Sequence, residues 1–269
     1  RLAEQFHLTV AKIDASLARS RAALLALRGA RPRPHRDEKI VAAWNGMMIG
    51  ALATGGRQLG RPEWIAAAAR AAGFIRANLW DDGQAVLFRS MCTRAPSIRA
   101  FAADYVQMIA GLLDLHGATG DIQWLHWALD LQAALDRDHR DPDDACYFSA
   151  REDGGLGVLS LKEDHDGAEP SPNSLGAVNL LKLAALTGEA RFRDAADAMI
   201  ATLGQAVADA PHVAPVLGIA VLRSLADAGH IVLAPADSPA AAPLRDAILR
   251  HAPSDLAVIH LPGTGEDRQ

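Results

Sequence analysis

The densest run of reactive side chains is Glu163-Asp164-His165-Asp166-Gly167-Ala168-Glu169-Pro170-Ser171-Pro172-Asn173-Ser174, where four carboxylates, one histidine and three hydroxyl or amide groups precede an apolar segment. Gly167 and Pro170 bend the chain around Asp166 and Glu169. Two carboxylates held in one bend suit general acid and base work on a sugar, or bidentate binding of its hydroxyls. The plainer reading of the same residues is that Ser171, Asn173 or Ser174 caps a helix, with the carboxylates favoured by its dipole or simply solvated. His165 is the histidine placed for catalysis. The remaining histidines are scattered with no His-x-x-x-His or His-Glu-x-x-His spacing, and Cys92 and Cys146 form no Cys-x-x-Cys pair, so no metal site and no cofactor are expected.

These residues must be positioned by helices, because glycine, proline and polar punctuation separate long Ala- and Leu-rich segments with apolar residues at three- and four-residue spacing. Residues 9 to 28 read as one helix, ended by Gly29 and the basic, proline-broken linker Arg31-Pro32-Arg33-Pro34-His35-Arg36. Beyond it one motif recurs, as Leu59-Gly60-Arg61-Pro62-Glu63-Trp64, Thr119-Gly120-Asp121-Ile122-Gln123-Trp124 and Thr187-Gly188-Glu189-Ala190-Arg191-Phe192, with its aromatic at positions 64, 124 and 192. Each copy sits between two helical patterns, which predicts three helical hairpins. The glycine would take the left-handed turn, the next residues would start the second helix, and the aromatic would plug the hairpin. The repeats are longer than the roughly 34 to 47 residues of helical solenoids. Short strand-like runs at Ala85–Arg89 and Ala145–Ser149, at the same place in successive repeats, account for the excess and suit an α/α toroid with a working face.

The same offsets align Trp44-Asn45, Asp104-Tyr105 and Pro172-Asn173, each pair opening the first helix of its hairpin. If these helices line a ring, the pairs meet at one mouth with the loop residues Asp37, Lys39, Asp166, Glu169 and Ser171 beside them, and Arg89, after an apolar strand, pointing into it. Asp166, Glu169 and Asp104 are the candidate catalytic groups. Lys39, Trp44, Asn45, Arg89, Tyr105, Ser171 and Asn173 are the candidate substrate contacts, with Trp44 as a stacking wall and Lys39 and Arg89 reaching anions or hydroxyls. Structural readings stand beside these: core filling for Trp44 and Tyr105, and ion pairs for Lys39 and Arg89.

The 269 residues are 50% hydrophobic, 22% charged and only 5% aromatic, with a net charge of −5 and a pI near 6.0. That balance lacks the basic footprint of a nucleic-acid binder. No run of residues has the length of a membrane span. Few aromatics argue against a long polysaccharide cleft and for a small sugar ligand. Cytoplasm is the default compartment, and the Arg1 start reads as a piece of a longer protein. The fold class expected is mainly α: a partial (α/α)6 toroid over 1–228, a β-α-β cap over 229–262 built on His230–Ala234 and Leu256–His260, and a polar tail over 263–269. A partial ring would expose apolar helix faces, so self-association is expected.

The stretches Arg36-Asp37-Glu38-Lys39-Ile40-Val41-Ala42-Ala43-Trp44-Asn45-Gly46-Met47-Met48-Ile49, Asp104-Tyr105, Gly111-Leu112-Leu113-Asp114-Leu115 and Asp166-Gly167-Ala168-Glu169-Pro170-Ser171-Pro172-Asn173-Ser174 resemble the YyaL-like family, whose animal members are called spermatogenesis-associated protein 20. The resemblance implies a toroid similar to N-acylglucosamine 2-epimerases and six-hairpin glycosidases, of which this chain would be the later part. Family members carry a thioredoxin-like domain first; nothing here matches it, so no redox role carries over. Pro172 stands where the family has glycine and Glu38 where it has a second aspartate. Two functions remain open. One is a sugar-binding or sugar-processing toroid, as an enzyme a carbohydrate isomerase or hydrolase with carboxylate chemistry. The other is a non-catalytic module that docks a protein partner.

Overall fold

Gly60, Gly120 and Gly188 all take the left-handed conformation, with φ of 63°, 70° and 72°, in the computed structural model, which describes residues 2–92, 96–150, 161–226, 229–234, 238–252 and 256–261. A residue with a Cβ is strained there, so each glycine stops one helix and reverses the chain into the next. The three hairpins read from the sequence are present.

The chain divides into two compact units, Arg1–Glu38 and Lys39–Gln269. The division falls inside the expected 1–228 segment, at the linker where Pro32 and Pro34 deny the backbone a helix. In the first unit, α1 (Leu2–Gln5) precedes α2 (Val10–Gly29), whose first turn is capped by the Thr9 hydroxyl accepting from Lys12 N–H at 3.3 Å. The second unit runs β1 (Ile40–Val41), α3 (Ala42–Gln58), α4 (Pro62–Leu79), β2 (Trp80–Asp81), β3 (Val86–Leu87), β4 (Ser90–Met91), α5 (Ala102–Thr119) and α6 (Ile122–His139). It continues with α7 (Pro172–Thr187), α8 (Ala190–Asp209), α9 (Pro215–Leu225), β5 (His230–Leu233), α10 (Ala242–His251) and β6 (Ala257–His260).

The first helices of the hairpins, α3, α5 and α7, pack side by side, and α4, α6 and α8 pack behind them. Helix α5 is the centre: Tyr105, Met108, Ile109, Leu112 and Leu115 join Ile49 of α3, Leu79 of α4, Trp127 of α6 and Leu180 of α7 in one core. The motif aromatics behave unequally, since Trp124 and Phe192 are buried while Trp64 is half-buried against Gly55. Helices α3 and α5 approach until backbone meets backbone. A Cβ added to Gly46 would lie 2.5 Å from the Gln107 carbonyl, and one added to Gly111 would lie 2.3 Å from the Gly46 oxygen.

The loop after each second helix repeats down to its hydrogen bonds. Leu79 O accepts from Phe88 N and, at the equivalent place one hairpin later, His139 O accepts from Phe148 N, both at 2.8 Å. Ala42 N donates to Arg89 O at 2.9 Å, and Ala102 N to Ser149 O at 3.0 Å. Each loop therefore folds back onto the start of its own hairpin's first helix. The expected strand at Ala85–Arg89 is β3, paired antiparallel with β2; at Ala145–Ser149 the pairing shrinks to a single Arg140–Tyr147 bridge. Strands β5 and β6 pair in parallel around α10, forming the β-α-β unit expected there. The tail 263–269 lies outside the described residues. Among the described residues no helix is long and apolar enough to cross a membrane, and no three His, Cys, Asp or Glu side chains are grouped as a metal site requires.

Candidate functional site

The N-terminal ends of α3, α5 and α7 carry the pairs aligned by the repeat, and they divide into side chains that brace the backbone and side chains open to solvent. Asp104 is fully buried in the first turn of α5. Its Oδ1 accepts from Ala43 N at 3.2 Å, in the first turn of α3, and its Oδ2 accepts from Phe101 N at 3.0 Å and Arg89 Nη1 at 3.2 Å. Burial pushes the Asp104 carboxyl above its usual range, and the two N–H groups and Arg89 pull against that. Asp166, half-buried, has the same kind of role one hairpin further on. Its oxygens accept from Ser171 N at 2.9 Å and Val216 N at 2.7 Å, tying the starts of α7 and α9.

Tyr105 and Asn173, aligned by the repeat offset, do one job twice. The Tyr105 hydroxyl accepts from Leu87 N at 3.1 Å, and Asn173 Oδ1 accepts at 2.7 Å from the N–H of Tyr147, the counterpart of Leu87 in the next repeat. Asn173 Nδ2 also donates to Tyr147 O and Glu163 O. Both side chains are buried, so they shape the loops rather than face a ligand. Asn45 donates to Val41 O at 2.8 Å within its own helix start, and the buried Ser171 caps α7 by accepting from Ser174 N at 3.1 Å. The capping reading thus holds for Ser171, while Ser174 and Asn173 lie inside α7.

Open to solvent are Trp44, Glu169, Arg89 and Lys39. Trp44 is 55% exposed, which overturns core filling, and its indole N–H donates to Glu169 Oε1 at 3.1 Å. Glu169 stands on the exposed bend that Gly167 closes with a backbone bond to Glu169 O at 3.0 Å. The Arg89 side chain, 38% exposed, lies 4.5 Å over the Phe101 ring while it bonds Asp104, so the ion-pair reading and an accessible guanidinium both apply. Lys39 is exposed immediately before β1. His165 is exposed and bonded to its neighbour Asp164. Phe101, 37% exposed, escaped the sequence reading. The signal for it was its place three residues before Asp104, at the α5 cap.

What remains accessible is an indole face, one carboxylate, the Lys39 ammonium and one guanidinium on an aromatic ring, the guanidinium held by the buried Asp104. An aromatic face with a carboxylate and forked N–H donors matches the apolar face and hydroxyl rim of a sugar. Of the three carboxylates read as catalytic, only Glu169 is not engaged by backbone N–H groups among the described residues.

No protein-family model matches the chain. Its sequence is 34% identical to human spermatogenesis-associated protein 20 over 222 residues, 79% of this chain and 28% of that protein, and 28% identical to an uncharacterised Caenorhabditis elegans protein over 82% of this chain. The chain therefore spans about a quarter of the length of the curated relatives it matches. In fold it is similar to a GH76 α-mannanase of Bacteroides thetaiotaomicron, with a TM-score of 0.56 at 13% identity, covering 82% of this chain and 58% of that one. It is also similar to cellobiose 2-epimerase of Spirochaeta thermophila, with a TM-score of 0.53 at 18% identity, covering 67% and 47%. The fold is that of the (α/α)6 toroids, and the sequence identity over 79% of the chain places it in the spermatogenesis-associated protein 20 family.

Proposed function

We propose that the mouth at the starts of α3, α5 and α7 binds a small sugar, with Trp44 as the stacking face and Glu169 and Arg89 as hydroxyl contacts. The observation that carries this is an indole left exposed at a helix start with its N–H held by an accessible carboxylate. Structural neighbours that process mannan or epimerise cellobiose support a toroid of that kind. Glu169 is the residue able to exchange a proton with the ligand. Asp104 and Asp166 are positioning residues, so a two-carboxylate hydrolysis has only one of its members among the accessible groups named here, and a sugar isomerisation needing one acid/base group on this side fits better.

The test is a thermal shift of the chain against D-mannose, D-glucose and cellobiose, since binding to the folded state alone raises the melting temperature with concentration. A rise lost in both Trp44→Ala and Glu169→Gln is expected. No rise with any of the three, or an equal rise in both variants, overturns the reading.

Met48, one turn beyond Trp44 on α3 and 57% exposed, favours a second reading in which this apolar stripe docks a protein, another copy of the chain included. Light scattering separates the two. A concentration-dependent mass that falls in Trp44→Ala, with no sugar response, supports docking.

A further inference from the structure

At the opposite ends of the same three helices the second unit holds a cavity of about 410 Å³. Its walls are the C-terminal halves of α3, α5 and α7, together with α8, α9, β6 and Gly229 just before β5. Leu113, Leu181, Leu186 and Val258 give it an apolar lining. Among the described residues, four cations, Arg57, Lys182, Arg193 and Arg223, share this lining with the carboxylate of Asp114.

Cations are expected where helix C-termini converge, because the helix dipole favours them there. Two of the four are explained by ordinary pairing. Lys182 is bonded to Asp114 at 2.7 Å, while Arg193 bonds Asp197 at 2.8 Å and donates to Ser224 O at 2.6 Å. Arg57 and Arg223 stand in the last turns of α3 and α9, where the helix dipole favours a cation, and differ from the other two in their pairing. Neither has a hydrogen bond or ion pair with any described residue, not even with a helix-end carbonyl. Arg57 is nevertheless more than nine-tenths buried, at 8% exposure. Its guanidinium nitrogens are not sealed off in the packed interior, so the charge opens onto the cavity and is available to a ligand there.

We propose that this cavity is a binding site for a small phosphate monoester with an apolar body, its phosphate held by Arg57 and Arg223. Guanidinium forks from two different elements match the several oxygens of a tetrahedral dianion, and the leucine and valine walls take the organic part. The volume exceeds that of phosphate alone and fits a ligand of drug-like or smaller size. The site is separate from the mouth and stands whether or not a sugar binds there.

The full chain is titrated with phenyl phosphate, and with benzoate as the carboxylate control, by thermal shift. Expected is a rise in melting temperature that grows with phenyl phosphate, is absent in Arg57→Gln and is weakened at least tenfold in apparent affinity in Arg223→Gln. It should persist in Arg70→Gln, an exposed arginine of α4 outside the cavity lining. The proposal falls if phenyl phosphate gives no shift, if Arg57→Gln or Arg223→Gln keeps the whole shift, or if benzoate matches phenyl phosphate. Should Arg57→Gln fail to fold, Arg223→Gln, whose side chain is only half-buried, decides alone.

Discussion

Asp104 and Asp166 each collect backbone N–H groups from the starts of two adjacent helices, the place where both helix dipoles welcome negative charge. Removing either carboxylate therefore strips acceptors from groups that no other side chain replaces. Asp104→Ala leaves Ala43 N, Phe101 N and the Arg89 guanidinium without their partner in a fully buried site, so a loss of about 3 to 4 kcal/mol is expected. Asp166→Ala frees two N–H groups at a half-buried site, so about 1 to 3 kcal/mol is expected, and Asp166→Asn, which keeps one acceptor, should lose less. Urea unfolding midpoints measure all three. A full-stability Asp104→Ala protein with a lost sugar response would mean that the carboxylate meets the ligand rather than the backbone.

At the scale of elements, the α3–α5 contact sets the position of everything at the mouth, since Asp104 on α5 holds the first turn of α3. Gly46 and Gly111 make that contact possible. A methyl group at Gly46 would overlap the Gln107 and Met108 backbone, and backbone cannot step aside as a side-chain end can. Gly46→Ala should cost about 3 kcal/mol and part the two helices, whereas Gly117→Ala, with nothing near the added carbon, should change stability by less than about 1 kcal/mol. Chemical denaturation of the two variants checks this. The hairpins were legible in the sequence because turn glycines and helix-start residues are local signals, and Gly60, Gly120 and Gly188 turned out left-handed as their spacing required. The repeat offset likewise aligned Tyr105 with Asn173. It could not say that both face inward, because that depends on the loop each one anchors. Trp44 misled for the same reason: an indole at a helix start reads as core until the neighbour that would cover it is known. Arg57, Lys182, Arg193 and Arg223 carry no motif at all, and only the convergence of α3, α7, α8 and α9 brings them to one cavity.

At the scale of the second unit, the β5-α10-β6 segment packs on α3 through α10 and on α7 through β6, and it carries one histidine to the hairpin turn at Gly120. His260 of β6 lies over the Gly120 turn, where a Cβ would come within 2.9 Å of its ring, and the buried His116 of α5 sits close enough to disfavour the charge of His260, as His126 disfavours that of His116. Burial holds both below the usual histidine range. For His116 the Asp121 carbonyl, 3.0 Å from Nδ1, pulls the other way, and for His260 the charges of His116 and Arg245 add to the depression. A histidine whose folded pKa is depressed gives its full stability above the unfolded value of about 6.5 and loses it as pH falls from there through the folded value. Asp104 and Asp136, both raised by burial, act with the opposite sign, because the folded state takes up their protons more readily than the unfolded chain does. An acid loss that begins near pH 6.5 therefore belongs to the histidines. Urea midpoints should be flat from pH 8 to 7 and fall between about 6.5 and 5. The slope should reach up to about 1.4 kcal/mol per pH unit for each histidine and should flatten in His260→Gln. An unchanged slope in that variant would release the β-α-β unit from this coupling and leave its attachment to the apolar contacts of Leu233 and Val258, both buried to within 3%.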